Sequence, residues 1–379
     1  MLKVKYIDNT DEFLGLEKVW NKTLSESGAD TVFLSWEWVS NWWKTYGAEK
    51  ELRVIVVSDS AGEVVGIAPL YQRLRRVLKG IAVREVCFLG TGEDVSPDYP
   101  DFMVRSGSEG EVMRAMLESL KDDNRWDILN LTDMSEKTIN VGLLLETSKG
   151  LDLNARAKAC ATCPYILLPE TWEKYLAGLS SNTRYNVRRR TRNLERDFTV
   201  KFYLWTDRER LSEAMERLAS LHGSRWEERG TSRSFVSPEY RSFHRMVAGD
   251  FMEKGFLHMS CLELNGEIAG MYYDYFYNNK IYYYQAGFDP SFSKYSPGLV
   301  LRAYVIKRAI EEGVREIDLL KGSYQFKDAW ANRSRSTVTI NIGKRNLAGR
   351  IFFFDAYDKK NLKAAVKNRL PAAILRLVQ

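Results

Sequence analysis

The stretch from Leu257 to Tyr275 reads LHMSCLELNGEIAGMYYDY. β-forming residues flank Asn265-Gly266, the two-residue signal of a tight hairpin, so it predicts two antiparallel strands. A second such stretch, Arg53–Leu70, reads RVIVVSDSAGEVVGIAPL, with its turn over Asp59–Glu63. Both carry Gly-Glu-x-x-Gly, at 62–66 and 266–270. Each hairpin is followed by a helix and then a strand. In the first half the helix is Glu109–Asp123, with Val112, Met116, Leu117 and Leu120 on one face, and the strand is Trp126–Leu131. In the second half the helix is Pro297–Glu312, with Leu301, Tyr304, Val305 and Ala309 on one face. Gly313 stops it, and the strand Glu316–Leu320 follows. Each half opens on a helical stretch, Asp11–Ser25 and Asp207–Glu227. A pattern stated twice predicts an α/β chain, α+β in its mixed sheet, made of two copies of one fold.

The length, 379 residues, suits two domains. We place them at 1–165 and 166–343, with a basic helical tail at 344–379. Gly150 and Lys158–Pro164 interrupt the pattern at the join. A composition of 45% hydrophobic and 28% charged residues excludes disorder, collagen and disulfide scaffolds. No apolar run approaches the ~20 residues of a membrane span, and the N-terminus lacks a signal-peptide core. Four cysteines make no disulfide framework, and three histidines leave little room for a metal. The expected location is cytoplasmic, with no metal. The net charge of +6 is unevenly spread. Lys344–Gln379 carries +7 and Arg184–Arg196 carries +5, which leaves an acidic body. The tail, with a helix-prone Tyr357–Leu370, is expected either to rest on the inner membrane face or on a polysaccharide-assembly partner, or to stand solvated.

Five places carry candidate chemistry. On a helix, Arg184, Arg188 and Arg192 share one face, where guanidinium groups suit phosphate or carboxylate; a solvated, salt-bridged face is the plain alternative. Ser291–Val300 runs from a strand into a helix start at Ser296-Pro297-Gly298, a place for an anion. Asp318–Trp330 begins at a strand end, where open α/β sheets hold ligands. There Asp318, with Lys327 or an arginine as partner, is a proton acceptor or a structural ion pair. His222, in Leu221–Gly230, is a general base or a structural helix-end residue. The aromatic strands around Tyr272–Tyr275 and Tyr282–Gln285 line a pocket or pack a sheet. Trp36, Trp38, Trp42 and Trp43 read as core or inter-domain packing, and Cys160-x-x-Cys163 as incidental.

These residues resemble a known family. Ser180–Arg192, His222–Gly230, Gly266–Gly270, Gly287-Phe288-Asp289-Pro290, Ser296-Pro297-Gly298 and Asp318–Trp330 are similar to the GNAT-like acyltransferases of the cellulose-biosynthesis or BioF2-like type. These are relatives of the Fem peptidyltransferases. Trp36-Glu37-Trp38, Trp42, Pro69-Leu70 and Asp98-Tyr99-Pro100-Asp101 echo it in the first half. The resemblance implies two tandem GNAT-type domains, the first degenerate. It implies transfer of an acyl group, acetyl among them, from acyl-CoA to an amine or hydroxyl of a sugar or exopolysaccharide precursor. The Gln/Arg-x-x-Gly-x-Gly/Ala signature of ordinary GNAT enzymes is missing, and Phe326 stands where the family has Tyr. Asp318, His222 and Lys327 are the implied catalytic residues. Ser296, Gly298, Leu299, Val300 and Arg188 hold the donor. Arg225, Trp226, Asp274, Tyr284, Gln285 and Arg184 hold the acceptor. The alternatives are a Fem-type ligase that uses aminoacyl-tRNA and a non-catalytic scaffold of polysaccharide assembly. Nucleic acid is a partner only in the first of these.

Overall fold

The computed structural model describes residues 1–78, 80–95, 97–227, 234–322 and 325–358, without the side chains of 225–227. The expected tail beyond Asp358 lies outside the described residues. The first half runs β1 (Lys3–Ile7), α1 (Thr10–Leu14), α2 (Glu17–Ser25), α3 (Trp36–Tyr46), β2 (Glu51–Leu52), β3 (Val54–Ser58), β4 (Val64–Ala68), β5 (Leu70–Val77) and β6 (Ile81–Phe88). It continues with β7 (Met103–Val104), α4 (Glu109–Asp122), β8 (Ile128–Ser135), α5 (Ile139–Gly150) and β9 (Asn154–Leu167). Two helices follow, α6 (Trp172–Gly178) and α7 (Ser181–Asp197). The second half is β10 (Val200–Leu204), α8 (Leu211–Glu227), α9 (Pro238–Lys254), β11 (Leu257–Leu264), β12 (Glu267–Tyr277), β13 (Lys280–Phe288), α10 (Pro297–Glu311), β14 (Glu316–Asp318), α11 (Gln325–Asp328) and β15 (Arg333–Gly343). A short α12 (Leu347–Phe353) closes on β6.

The repeat is present in backbone detail. Gly62 and Gly266 each sit at φ 89°, the left-handed turn that favours glycine. In one hairpin the register shifts after Val57↔Gly66, so that Ser58 faces Val64. In the other it shifts after Leu262↔Gly270, so that Glu263 faces Ile268. Each second glycine then lies under a crossover helix, Gly66 beneath Val112 of α4 and Gly270 beneath Leu301 of α10. Those helices connect parallel pairs, β6 with β8 and β13 with β14.

The strands form a small sheet, β1-β3-β4-β7, and a large one, β10-β11-β12-β13-β14-β9-β15-β8-β6-β5-β2. Pro69, which has no N–H to give a ladder, separates β4 in the first from β5 in the second. The large sheet is continuous because the halves exchange their last strands. β9 pairs with β14, β15 pairs with β8, and β9 and β15 pair with each other. The boundary expected at 165/166 therefore falls inside a strand. Lys158–Pro164, expected as a break, is the middle of β9. Its side chains are largely exposed, so no apolar alternation announces it, and backbone pairing to β15 holds it.

The tryptophan helix α3 docks on α9 of the other half. Trp38 is fully buried, its ring 5.0 Å from Phe243 and 5.8 Å from Tyr275. Asn41 Nδ2 donates to Asp250 Oδ2 at 2.6 Å beside it. One apolar core thus spans both halves, and others fill the undersides of α4 and α10. Among the described residues no helix is long and apolar enough to cross a membrane.

Candidate functional site

β13 pairs with β14 only over Lys280–Tyr282 against Glu316–Asp318. From Tyr283 to Phe288 that edge is free of β14, and a trough of about 410 Å³ opens there. Its walls are Tyr283, Ala286 and Phe288 of β13, Tyr272 of β12, Ser293, the start of α10, and Phe326 and Trp330. Four of the residues expected to hold a donor, Ser296, Gly298, Leu299 and Val300, begin α10, and the first three line the trough. Ser296 is in the left-handed conformation at φ 58°. Tyr272 donates its hydroxyl to the Gly298 carbonyl at 2.5 Å, which ties β12 to the helix start.

Where β14 ends, the two halves meet in a buried polar cluster. Asp318 is fully buried. Its Oδ2 accepts the hydroxyl of Tyr99 at 3.0 Å, and its Oδ1 accepts the Leu320 N–H at 2.8 Å. Burial raises its carboxyl above the usual range, against the pull of Arg335 3.8 Å away. Lys327 donates to the carbonyls of Leu320 at 3.3 Å and Lys321 at 2.9 Å, and burial lowers its ammonium. Asp318 and Lys327 therefore grip one loop, whose Leu320 has φ 59°. Lys321 lies between two more carboxylates. Its N–H donates to Asp98 at 3.2 Å and its Nζ to Asp133 at 3.0 Å. Burial pushes Asp98 up to about 7, with Lys321 opposing. Burial works against the Lys321 charge too, but Asp98 and Asp133 outweigh it and hold the ammonium above its ordinary value.

His222 lies elsewhere, on α8, against the far face of β13. Its Nδ1 is 3.0 Å from the Ala286 carbonyl, which can only accept, so Nδ1 carries a proton. Gly287 makes this packing possible: a Cβ there would stand 2.6 Å from the His222 backbone nitrogen. Tyr284 and Gln285 turn to α9. Tyr284 Oη is 3.3 Å from His244 Nε2, and Gln285 Nε2 donates to Tyr240 Oη at 2.9 Å. Asp274 accepts the Tyr284 N–H at 3.2 Å, and burial holds it well above the usual carboxylate range. Arg184 caps α6, donating to the carbonyl of Ala177 at 3.1 Å. Arg188 and Arg192 line a groove between α7 and α10, about 320 Å³, with Trp172 and Lys307. The side chains of Arg225 and Trp226 lie outside the described residues. The expected residues thus divide among the trough, the cluster, the α8–α9 face and the α7 groove.

This geometry can be set beside known proteins. A model of the acetyltransferase (GNAT) domain matches residues 181–328, which run from α7 to the end of α11. The structure superposes on the crystal structure of FemX with a TM-score of 0.60 at 13% identity, over 89% of this chain and 96% of that one. The fold is GNAT-like and similar to that of FemX. A conserved protein of unknown function from Bacteroides thetaiotaomicron has TM-score 0.58 at 12% identity, over 90% of this chain and 100% of that one. The C-terminal domain of a putative lysylphosphatidylglycerol synthetase from Agrobacterium fabrum has TM-score 0.51 at 11% identity, over 90% and 95%. No curated protein matches the chain in sequence.

Within this GNAT-like fold, the residues that sequence reasoning missed are polar ones buried by distant partners. Asp133, Lys321 and Arg335 were not singled out, because each is charged in a locally ordinary segment. Arg302 had a legible signal, an arginine inside the apolar arc of α10 between Leu301 and Val305. Among the described residues no group of three or more His, Cys, Asp or Glu side chains could hold a metal ion.

Proposed function

We propose that this protein is an acyltransferase that moves an acyl group from acyl-CoA to an amine or hydroxyl of a sugar or cell-envelope precursor. The observation that carries the reading is the open edge of β13 beside the start of α10. The part of that edge beyond β14 could take an extended amide-bearing arm as an added strand would, and the adjoining trough can seat it. The match to the acetyltransferase domain over 181–328 supports the same reading.

In this reading the acceptor enters from the cluster, attacks the thioester directly and gives up its proton to a nearby group. Asp318 is the favoured base, since Tyr99 and the Leu320 N–H orient it and Arg335 favours its ionised form. His222 is the other candidate. Lys327, its ammonium lowered, supplies a donor for the developing oxyanion or an anionic acceptor. Arg188 and Arg192, on the exposed face of α7, favour the second reading, an aminoacyl-tRNA donor, because paired arginines suit a phosphodiester backbone.

The test is calorimetric binding of acetyl-CoA, followed by release of the CoA thiol with a panel of amino sugars and sugar alcohols. Asp318→Asn, His222→Gln and Lys327→Met are assayed singly. Thiol release that needs an acceptor and falls at least a hundredfold in one variant supports the reading. Full turnover in all three removes these roles. RNA-dependent transfer with a steep salt dependence would favour the tRNA donor.

A further inference from the structure

Arg302 lies in the second turn of α10, facing the sheet and 7% exposed. Side chains on a helix lean toward its N-terminus, so the guanidinium extends toward the trough it lines. Four rings surround it, with centroids 4.6 Å away for Tyr283, 5.1 Å for Phe326, 5.7 Å for Tyr272 and 5.9 Å for Trp330. Aromatic faces stabilise a cation, and the Tyr272 hydroxyl also hydrogen-bonds the guanidinium. Nη1 is buried without a hydrogen-bond partner among the described residues. Asp274 acts on the guanidinium electrostatically, but burial holds its carboxyl well above the usual carboxylate range. A buried donor left without a partner is destabilising, and a bound anion would supply that partner.

The start of α10 offers less than its position suggests. Pro297 has no N–H. The N–H groups of Leu299 and Val300 both point back to the Ser296 carbonyl, at 3.0 and 3.2 Å. Most of the backbone donors that an anion would use are therefore spent, and the positive charge of the trough comes from inside the helix.

We propose that Arg302 is the anion-binding residue of this trough, and that its ligand is a phosphoryl group. A guanidinium fork matches phosphate oxygens in pairs. The phosphoryl group belongs either to the diphosphate of a nucleotide thioester or to the phosphodiester of an RNA-borne donor. The inference rests on the trough being the donor site.

The test is calorimetry on the full-length protein with CoA, inorganic diphosphate, pantetheine and a short single-stranded RNA. The wild type is expected to bind diphosphate and either CoA or the RNA. Arg302→Met should weaken these at least tenfold and change pantetheine affinity less than twofold, and Arg302→Lys should retain part. Because Arg302 is buried, Ser293→Asp at the exposed rim serves as a variant that leaves the core intact. It should weaken the phosphate-bearing ligands and spare pantetheine. Wild-type affinity for diphosphate in a folded Arg302→Met, or in both Arg302→Lys and Ser293→Asp, overturns the proposal, as does a wild type that binds no phosphate-bearing ligand. Diphosphate and RNA binding that depends on Arg302, with no CoA binding, would keep the proposal and remove acyl-CoA as donor. CoA binding indifferent to Arg302 would do the reverse.

Discussion

The hydroxyl of Tyr99 lies 3.0 Å from Oδ2 of Asp318, so a side chain of the first half completes a carboxylate of the second. Tyr99 holds this position at φ 61°, a left-handed conformation. Tyr99→Phe leaves one buried carboxylate oxygen short of a donor. It should cost about 1–3 kcal/mol of unfolding free energy, read by urea denaturation. If Asp318 is the base, losing this donor raises its pKa, and the acid limb of the turnover profile moves to higher pH. A stability loss with no movement of that limb would separate Asp318 from the proton transfer.

Asp98 is held up to about 7 by burial, far above its value in an unfolded chain. A raised carboxyl contributes stability that is complete below the unfolded pKa and lost as pH rises through the folded one. Between about pH 4 and 7 wild-type stability should therefore fall relative to Asp98→Asn, by at most about 1.4 kcal/mol per pH unit. Parallel melts of the two proteins over that range measure the difference. Equal slopes would mean Asp98 stays charged.

Gly287 and Gly270 make a matched pair. A Cβ at 287 would stand 2.7 Å from Leu221 Cβ, whereas one at 270 would have its nearest neighbour, Leu301, at 3.5 Å. Gly287→Ala must push α8 off β13 and should cost about 1–3 kcal/mol, and Gly270→Ala should cost much less. Thermal melts of the two variants give the comparison, and a displaced α8 should also disturb His222.

Trp38 joins α3 to α9. Trp38→Ala removes a fully buried ring and should cost about 3–5 kcal/mol. Because one core spans both halves, calorimetry should show a single transition at lower temperature. Two separated transitions would mean that the halves unfold independently.

The arginines of α7 differ in role. Arg184 bonds the carbonyl end of α6, so Arg184→Ala should lower the melting temperature. Arg188→Ala and Arg192→Ala should leave it within error and act, if at all, on binding to RNA or CoA.

The repeat, the mixed α/β class and the helix starts are local, so the chain itself announces them. Glycine at the turns, the alternation of the strands and the apolar arcs of α4 and α10 all act within a few residues. The Thr171 cap, which accepts the Lys174 N–H at 3.2 Å, is of this kind. β9 escaped because most of its side chains are exposed or half-buried and its partner β15 lies far along the chain. The same distance hides much of the site. Asp318, Lys327 and the start of α10 stand at strand and helix ends, where sequence marks them. What they touch is set by Tyr99, Asp98 and Asp133 from the other half.

The sequence by itself determined that there are two copies of one α/β unit, with their excess charge gathered in one arginine-rich helix and one tail. Only the tertiary structure decided that the copies exchange their last strands, and that three carboxylates and two lysines share one buried junction. It also decided that the guanidinium of Arg302 faces a trough with a donor to spare. The reason is physical. Backbone preference and burial patterning act over a few residues, whereas the partner of a buried charge is chosen by whichever group the closing sheet brings within about 3 Å.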